Sequence, residues 1–291
     1  MEKAIFYKKE ENFVKCFACN HKCSISEGKK GFCGVRKNID GDLFLLTYGK
    51  VSAEHIDPIE KKPLYHFLPG SFSYSIGGFG CNFLCPWCQN FEISQCKKSF
   101  CVKKRKPEEI VKSALEYSCP SISYTYNEPS IWAEFVYDIS KLAKKNNLKN
   151  VWVTNGYFSE EVLNFFMKEK LIDAMNIDLK AFKKETYEKY CGANLKKILN
   201  SIKKAHKKKI HIEITSLIIP NLNDSEKELK EMAKFIFSLD KRGEVPWHIS
   251  RFFPMYKFCD EKYFITPLEK LKKAEDIGKN EGLKYIYLGN V

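Results

Sequence analysis

From Ser71 onward the chain alternates short strand-like runs with longer stretches whose apolar positions recur at helical spacing. The strand-like runs are Phe72–Ile76, Ser121–Tyr126, Val151–Thr154, Ala174–Leu179, Ile210–Ile219, Trp247–Phe252 and Tyr285–Leu288. Helices are expected near Pro107–Tyr117, Ser130–Asn146, Ser159–Glu169, Lys183–Tyr190, Leu195–Lys207, Asp224–Leu239 and Pro267–Asn280. Several carry start signals, such as Pro107 before Glu108 and Glu109, or Asp224 as a cap before Ser225 and Glu226. Such alternation implies parallel strands joined by right-handed crossovers, and so an open or full α/β barrel. Functional groups then belong at the C-terminal ends of the strands.

Residues 1–70 break the pattern. They are rich in cysteine and glycine and lack long periodic stretches, so they read as an accessory segment before a 71–291 barrel core. The segment closes in Asp57–Gly70, where three prolines (Pro58, Pro63 and Pro69) are too many for a regular helix. This stretch is expected to lie across the barrel mouth, where His66 would limit solvent access. The chain stops at Val291 directly after a strand-like run, which suggests a missing tail or an unusual terminus.

The 291 residues suffice for one large domain, and 44% hydrophobic content is ordinary for a globular protein. No apolar run is long enough to cross a bilayer and no signal peptide opens the chain, so a soluble, cytoplasmic protein without a membrane partner is expected. The net charge of +13 raises the question of a nucleic-acid partner. Arginine appears only at Arg36, Arg105, Arg242 and Arg251, however, and lysines such as Lys203, Lys204 and Lys207–Lys209 fall on expected helix faces. Lysine lacks the planar fork that specific phosphate and base recognition favours, so the charge reads as solvated surface.

Twelve cysteines in a chain without an export signal point to metal or redox chemistry. Three of them, Cys81, Cys85 and Cys88, are spaced C-x₃-C-x₂-C in the stretch Gly80–Asn90. Three thiolates suit a cubane iron–sulfur cluster with one iron left open to a chelating small molecule. A zinc site short of a ligand and chance clustering are the alternatives. Gly77, Gly78 and Gly80 permit the tight backbone such a loop needs. A second group, Cys16-x₂-Cys19-x₃-Cys23-x₉-Cys33, can close a structural zinc or complete an auxiliary cluster. Cys96, Cys101, Cys119, Cys191 and Cys259 are scattered and read mostly as buried small apolar residues.

Polar residues gather at the other strand ends. Asn127, Glu128 and Pro129 follow the second strand, Thr154 and Asn155 the third, Asp178 and Lys180 the fourth. Each has a plainer reading, as a turn or an ordinary ion pair. The sixth strand carries His248 and Arg251, which can face a substrate or serve packing.

The three-cysteine loop resembles the radical S-adenosylmethionine (SAM) superfamily. Through Gly31–Arg36, Asp57–Gly70, Cys81–Gln95, Tyr126–Pro129, Trp247–Phe252 and Leu288–Val291, nearly the whole chain resembles the radical SAM component of the AmmeMemoRadiSam system, a family similar to pyruvate formate-lyase activating enzymes. The resemblance implies a radical SAM-type partial (β/α)6 barrel, a 4Fe–4S cluster on Cys81, Cys85 and Cys88, and SAM chelating the open iron. One electron from the cluster would split SAM into methionine and a 5′-deoxyadenosyl radical. Glu128 would accept a hydrogen bond from the SAM ammonium where the family often has Gly-Gly-Glu-Pro, with Asn127 beside it. Trp87 would pack on adenine or shield the cluster. Thr154, Asn155, Asp178 and Lys180 match Thr-Asn-Gly and Asp-Leu-Lys segments of the activases, and Glu213–Asn221 resembles the region beside the SAM ribose. An electron donor such as ferredoxin or flavodoxin is implied. Two departures stand out: Phe253 occupies a position where the family often has histidine, and the family's cysteine-bearing tail after Leu-Gly-Asn-Val is absent.

The leading expectation is thus an oxidoreductase or transferase that abstracts hydrogen from an unidentified substrate, which can be a protein. A glycyl-radical activase is one version. A metal-binding interaction protein without catalysis is the alternative from another class.

Overall fold

The computed structural model describes residues 1–96, 102 and 104–291. Cys101, expected to be buried, lies outside the described residues. The chain forms two compact units, Met1–Phe83 with Asn90–Met175, and Leu84–Gln89 with Asn176–Val291.

The first unit opens with six short strands: β1 (Glu2–Lys3), β2 (Tyr7–Lys9), β3 (Phe13–Cys16), β4 (Ser24–Ser26), β5 (Arg36–Ile39) and β6 (Asp42–Leu45). They make two small antiparallel sheets, β2-β3-β4 and β1-β6-β5. Then β7 (Ala53–Pro58) pairs antiparallel with β8 (Phe72–Gly77), which pairs parallel with β9 (Ser121–Tyr124). β9 in turn pairs parallel with β10 (Lys149–Thr154). The helices are α1 (Phe91–Ser94), α2 (Pro107–Glu116), α3 (Ala133–Lys145) and α4 (Glu160–Lys168). Every residue of β9 is buried, as expected of a parallel strand covered on both faces. The Lys106 N–H donates to Glu109 at 2.8 Å, closing the start of α2 ahead of Pro107. At α4 the Val162 N–H donates to the Ser159 hydroxyl at 3.1 Å.

β11 (Ala174–Asp178) contains the boundary between the units after Met175, and the second unit continues with α5 (Lys184–Thr186), α6 (Leu195–Lys207), β12 (His211–Ile218), α7 (Glu226–Leu239), β13 (Trp247–Arg251), α8 (Leu268–Asn280) and β14 (Ile286–Gly289). β12, β13 and β14 pair in parallel. Helix α6 shows why the local sequence folds this way. Asn194 caps it, and Leu195, Ile198, Ile202 and Ala205 are buried on one stripe. Lys204, His206 and Lys207 complement the dipole in the last turn. The class is the expected one, α/β with mostly parallel strands.

Four local expectations are corrected. The helix expected over Ser130–Asn146 begins as a 3₁₀ turn, Pro129–Trp132, and only then becomes α3. The Lys183–Tyr190 helix is a single α turn passing into a π-helical turn, Tyr187–Cys191. Ser225, not Asp224, occupies the cap position of α7; Asp224 instead accepts the Asn221 N–H at 2.9 Å and pairs with Lys270. Finally, Asp57–Gly70 does not lie at the loop-bearing strand ends. Its Ile59 and Leu64 pack with Val151 and Ala174, and Asp57 stands opposite Ser73 near the start of β8. Among the scattered cysteines, Cys119 and Cys191 are buried, while Cys96 is half-buried and Cys259 is exposed. Lys203 and Lys207–Lys209 are exposed, as a solvated face requires. No helix among the described residues is long and apolar enough to cross a membrane.

Candidate active site

β8 runs into the glycine loop that precedes Cys81. Asn127 clamps this loop: its Nδ2 donates to the Gly80 carbonyl at 2.8 Å, and its Oδ1 accepts the Gly78 N–H at 3.2 Å. Gly80 has φ +77°, and a Cβ there would sit 2.5 Å from the Cys33 carbonyl, so only glycine fits. The cysteine-rich segment therefore packs directly on the loop that carries Cys81. His21 adds to this contact, with Nε2 2.8 Å from the Asn82 carbonyl and its ring stacked on Phe32 at 4.1 Å.

Two N–H groups face the Cys81 sulfur. The Phe83 N–H lies at 3.4 Å and the Asn155 Nδ2 at 3.8 Å. Donors of this kind favour a thiolate, the form that ligates a cluster iron. Asn155 also donates to Asn82 Oδ1 at 2.7 Å and accepts the Tyr157 N–H at 3.0 Å.

Glu128 is fully buried and already serves three protein donors. They are the Ser130 N–H at 3.1 Å, the Thr154 hydroxyl at 2.8 Å and the Asn155 N–H at 3.0 Å. Burial pushes its carboxyl up, and these hydrogen bonds oppose that shift. Glu128, Thr154 and Asn155, read from the sequence as separate groups, are one bonded cluster joining the turn after β9 to the end of β10.

In the second unit Trp87 is buried against Phe258 and Tyr190, with ring centres 5.3 and 6.0 Å away. The Lys257 N–H donates to the Pro86 carbonyl at 2.9 Å and steadies this part of the loop. Asp178 and Lys180 pair at 2.8 Å. Burial works against the Lys180 charge, but Asp178 and the nearby Cys85 sulfur outweigh it and keep the ammonium charged. Cys85 is buried with its sulfur 3.8 Å from that of Cys191. That contact lowers the Cys85 thiol pKa despite burial, and Lys180 helps. Cys191 was not marked as functional by the sequence: its burial is ordinary, and the contact that distinguishes it spans 106 positions.

His248 is buried, with Nε2 2.6 Å from Glu213 Oε2, and Glu213 also meets His211 Nε2 at 2.9 Å. Arg251 Nε donates to the Thr266 carbonyl at 2.8 Å, and its guanidinium lies over the Phe253 ring.

Burial pushes Cys16 up to about 12, and it raises Cys19 and Cys33 as well, with neighbouring cysteines adding to the shift at Cys19. Among the described residues, no three His, Cys, Asp or Glu side chains are arranged to hold a bare metal ion. Of the three cysteines in the C-x₃-C-x₂-C stretch, Cys81 belongs to the first unit and Cys85 and Cys88 to the second; all three are sulfur donors of the type a cluster iron takes.

Residues 75–236 match the Radical SAM superfamily, and the chain belongs to it. Members of this family use a 4Fe–4S cluster and SAM. An uncharacterized protein of Methanocaldococcus jannaschii is 46% identical over 294 residues, covering 100% of this chain and 86% of that relative. The pyruvate formate-lyase-activating enzyme of Clostridium pasteurianum is 24% identical over 181 residues, 58% of this chain and 72% of that enzyme. The crystal structure of Streptococcus suis SuiB bound to S-adenosylmethionine shares the fold, with a TM-score of 0.55 and 12% identity over 72% of this chain and 48% of SuiB.

Proposed function

We propose that this protein cleaves SAM reductively and uses the resulting 5′-deoxyadenosyl radical to take a hydrogen atom from a substrate. The observation that carries the reading is the C-x₃-C-x₂-C loop after the first parallel strand, with the Phe83 and Asn155 N–H groups turned to the Cys81 sulfur. When bound, a cluster on Cys81, Cys85 and Cys88 supplies one electron to SAM, whose carbon–sulfur bond breaks to give methionine and the radical. The chain's own residues hold and shield. Asn127 fixes the glycine loop. Trp87, buried among aromatic rings, keeps water from the Cys85–Cys88 stretch. Glu128 would receive the SAM ammonium only by exchanging one of its three protein donors for it.

Membership of the AmmeMemoRadiSam system is part of this proposal, as is a low-potential electron donor of the ferredoxin or flavodoxin type in a reducing, cytoplasmic setting. A glycyl-radical activase is the second reading, favoured by the relative named as pyruvate formate-lyase-activating enzyme. The 1–70 segment is proposed as an accessory to the 71–291 core, with zinc or an auxiliary cluster on Cys16, Cys19, Cys23 and Cys33.

The test is anaerobic reconstitution with iron and sulfide, then dithionite and SAM. Formation of 5′-deoxyadenosine and methionine is expected, and a reconstituted protein that forms neither refutes the proposal. Glu128→Ala provides a narrower check. Loss of a hydrogen bond to a charged partner costs about 1.5–3 kcal/mol, roughly ten- to a hundredfold in affinity. SAM titration should show that weakening with iron content intact. Unchanged SAM affinity would remove Glu128 from the site.

A further inference from the structure

We propose that Cys191 is a positioning residue that donates a hydrogen bond to the Cys85 thiolate and thereby raises the reduction potential of the cluster. The inference rests on the reading of Cys85 as a cluster ligand.

Two contacts join the residues independently. The sulfurs lie 3.8 Å apart, and one residue earlier the Leu84 N–H donates to the Cys191 carbonyl at 3.2 Å. Cys191 is only 1% exposed and ends the π-helical turn Tyr187–Cys191, an arrangement that often marks functional positions. The turn is fixed at both ends. The Tyr187 hydroxyl accepts the Lys180 N–H at 2.9 Å, and the Ala193 N–H donates to the Tyr187 carbonyl at 3.1 Å. Gly192, at φ +68°, then lets the chain leave.

As a ligand, Cys85 has lost its proton. Within this sulfur–sulfur contact only Cys191 then carries hydrogen, so the bond runs from Cys191 to Cys85. A donor to a ligand sulfur stabilises the reduced cluster more than the oxidised one, because reduction adds negative charge that the thiolates share. The fold thus builds one potential-raising contact into the loop without touching the iron.

The experiment compares wild type, Cys191→Ala and Cys191→Ser after reconstitution, by iron content, circular dichroism and redox titration read by spin resonance. All three should bind the same iron. The Ala variant should be harder to reduce by about threefold in the equilibrium constant, which is about 28 mV at 59 mV per decade for one electron. The Ser variant keeps a donor and should titrate at or above wild type. Equal potentials in wild type and Ala overturn the proposal. Loss of iron from folded Ala and Ser variants also overturns it, because Cys191 would then be a ligand. Should the Ala variant fail to fold, the Ser variant decides: a potential below wild type overturns the proposal. A wild-type protein that takes up no cluster would refute the ligand reading itself, and the iron assay reports that outcome separately.

Discussion

Cys85→Ala is expected to abolish 5′-deoxyadenosine formation. A cubane held by three thiolates loses its fixed geometry when one is removed, and the open iron that SAM needs is defined by the other three. Within the second unit the Cys85 sulfur also contacts that of Cys191. Nothing in the chemistry allows partial function, so full cleavage by this variant would sink the assignment. The Cys81/Cys85/Cys88 triple alanine protein extends the test, since its remaining metal reports on Cys16, Cys19, Cys23 and Cys33. Zinc at about one equivalent fits a closed tetrahedral site. Iron with sulfide fits an auxiliary cluster. A folded, metal-free protein refutes both and returns those cysteines to packing.

Glu134→Ala is expected to destabilise the first unit by about 3–5 kcal/mol, the usual cost of leaving one partner of a buried ion pair alone. Arg36 and Glu134 are 1% and 2% exposed. Their contact is bidentate, with Arg36 Nη1 and Nη2 at 2.9 and 2.5 Å from the two carboxylate oxygens. Burial works against the Arg36 charge, and Glu134 more than restores it. Arg36 Nε also donates to the Ile131 carbonyl at 3.0 Å, and Glu134 accepts the Ile5 N–H at 3.0 Å. The pair therefore ties β5 and the first residues to α3. Urea unfolding under anaerobic conditions should show a lower midpoint at an unchanged slope. Replacing both residues, as in Arg36→Met with Glu134→Leu, should recover most of the loss. A single variant within about 0.5 kcal/mol of wild type, the range of ordinary surface changes, would contradict this account.

The sequence shows much of the core and less of the periphery. Helix α6 is legible to its last residue because its cap, apolar stripe and basic last turn all agree. Strands β10 and β12 are legible because their runs are rich in buried apolar and β-branched residues. Strands β1 to β6 are two to four residues long, too short for a period-two pattern to appear. The π-helical turn at Tyr187–Cys191 escapes because one inserted residue leaves the apolar spacing close to that of a plain helix. Asp224 is a plausible cap by residue type, yet its contact with Lys270 lies 46 positions away.

At the site, the three-cysteine spacing is local and so can be read directly. The bonds of Glu128 to Thr154 and Asn155, of Arg36 to Glu134 and of Cys85 to Cys191 join residues 26 to 106 positions apart. No pattern in one chain announces such partners. They follow only when the strands and helices are brought together.

The central claim is an open iron that binds SAM, and spin resonance of the reduced protein tests it most directly. The account predicts a reducible 4Fe–4S signal that shifts or broadens when SAM is added. A reducible cluster whose signal is the same with and without SAM would contradict it.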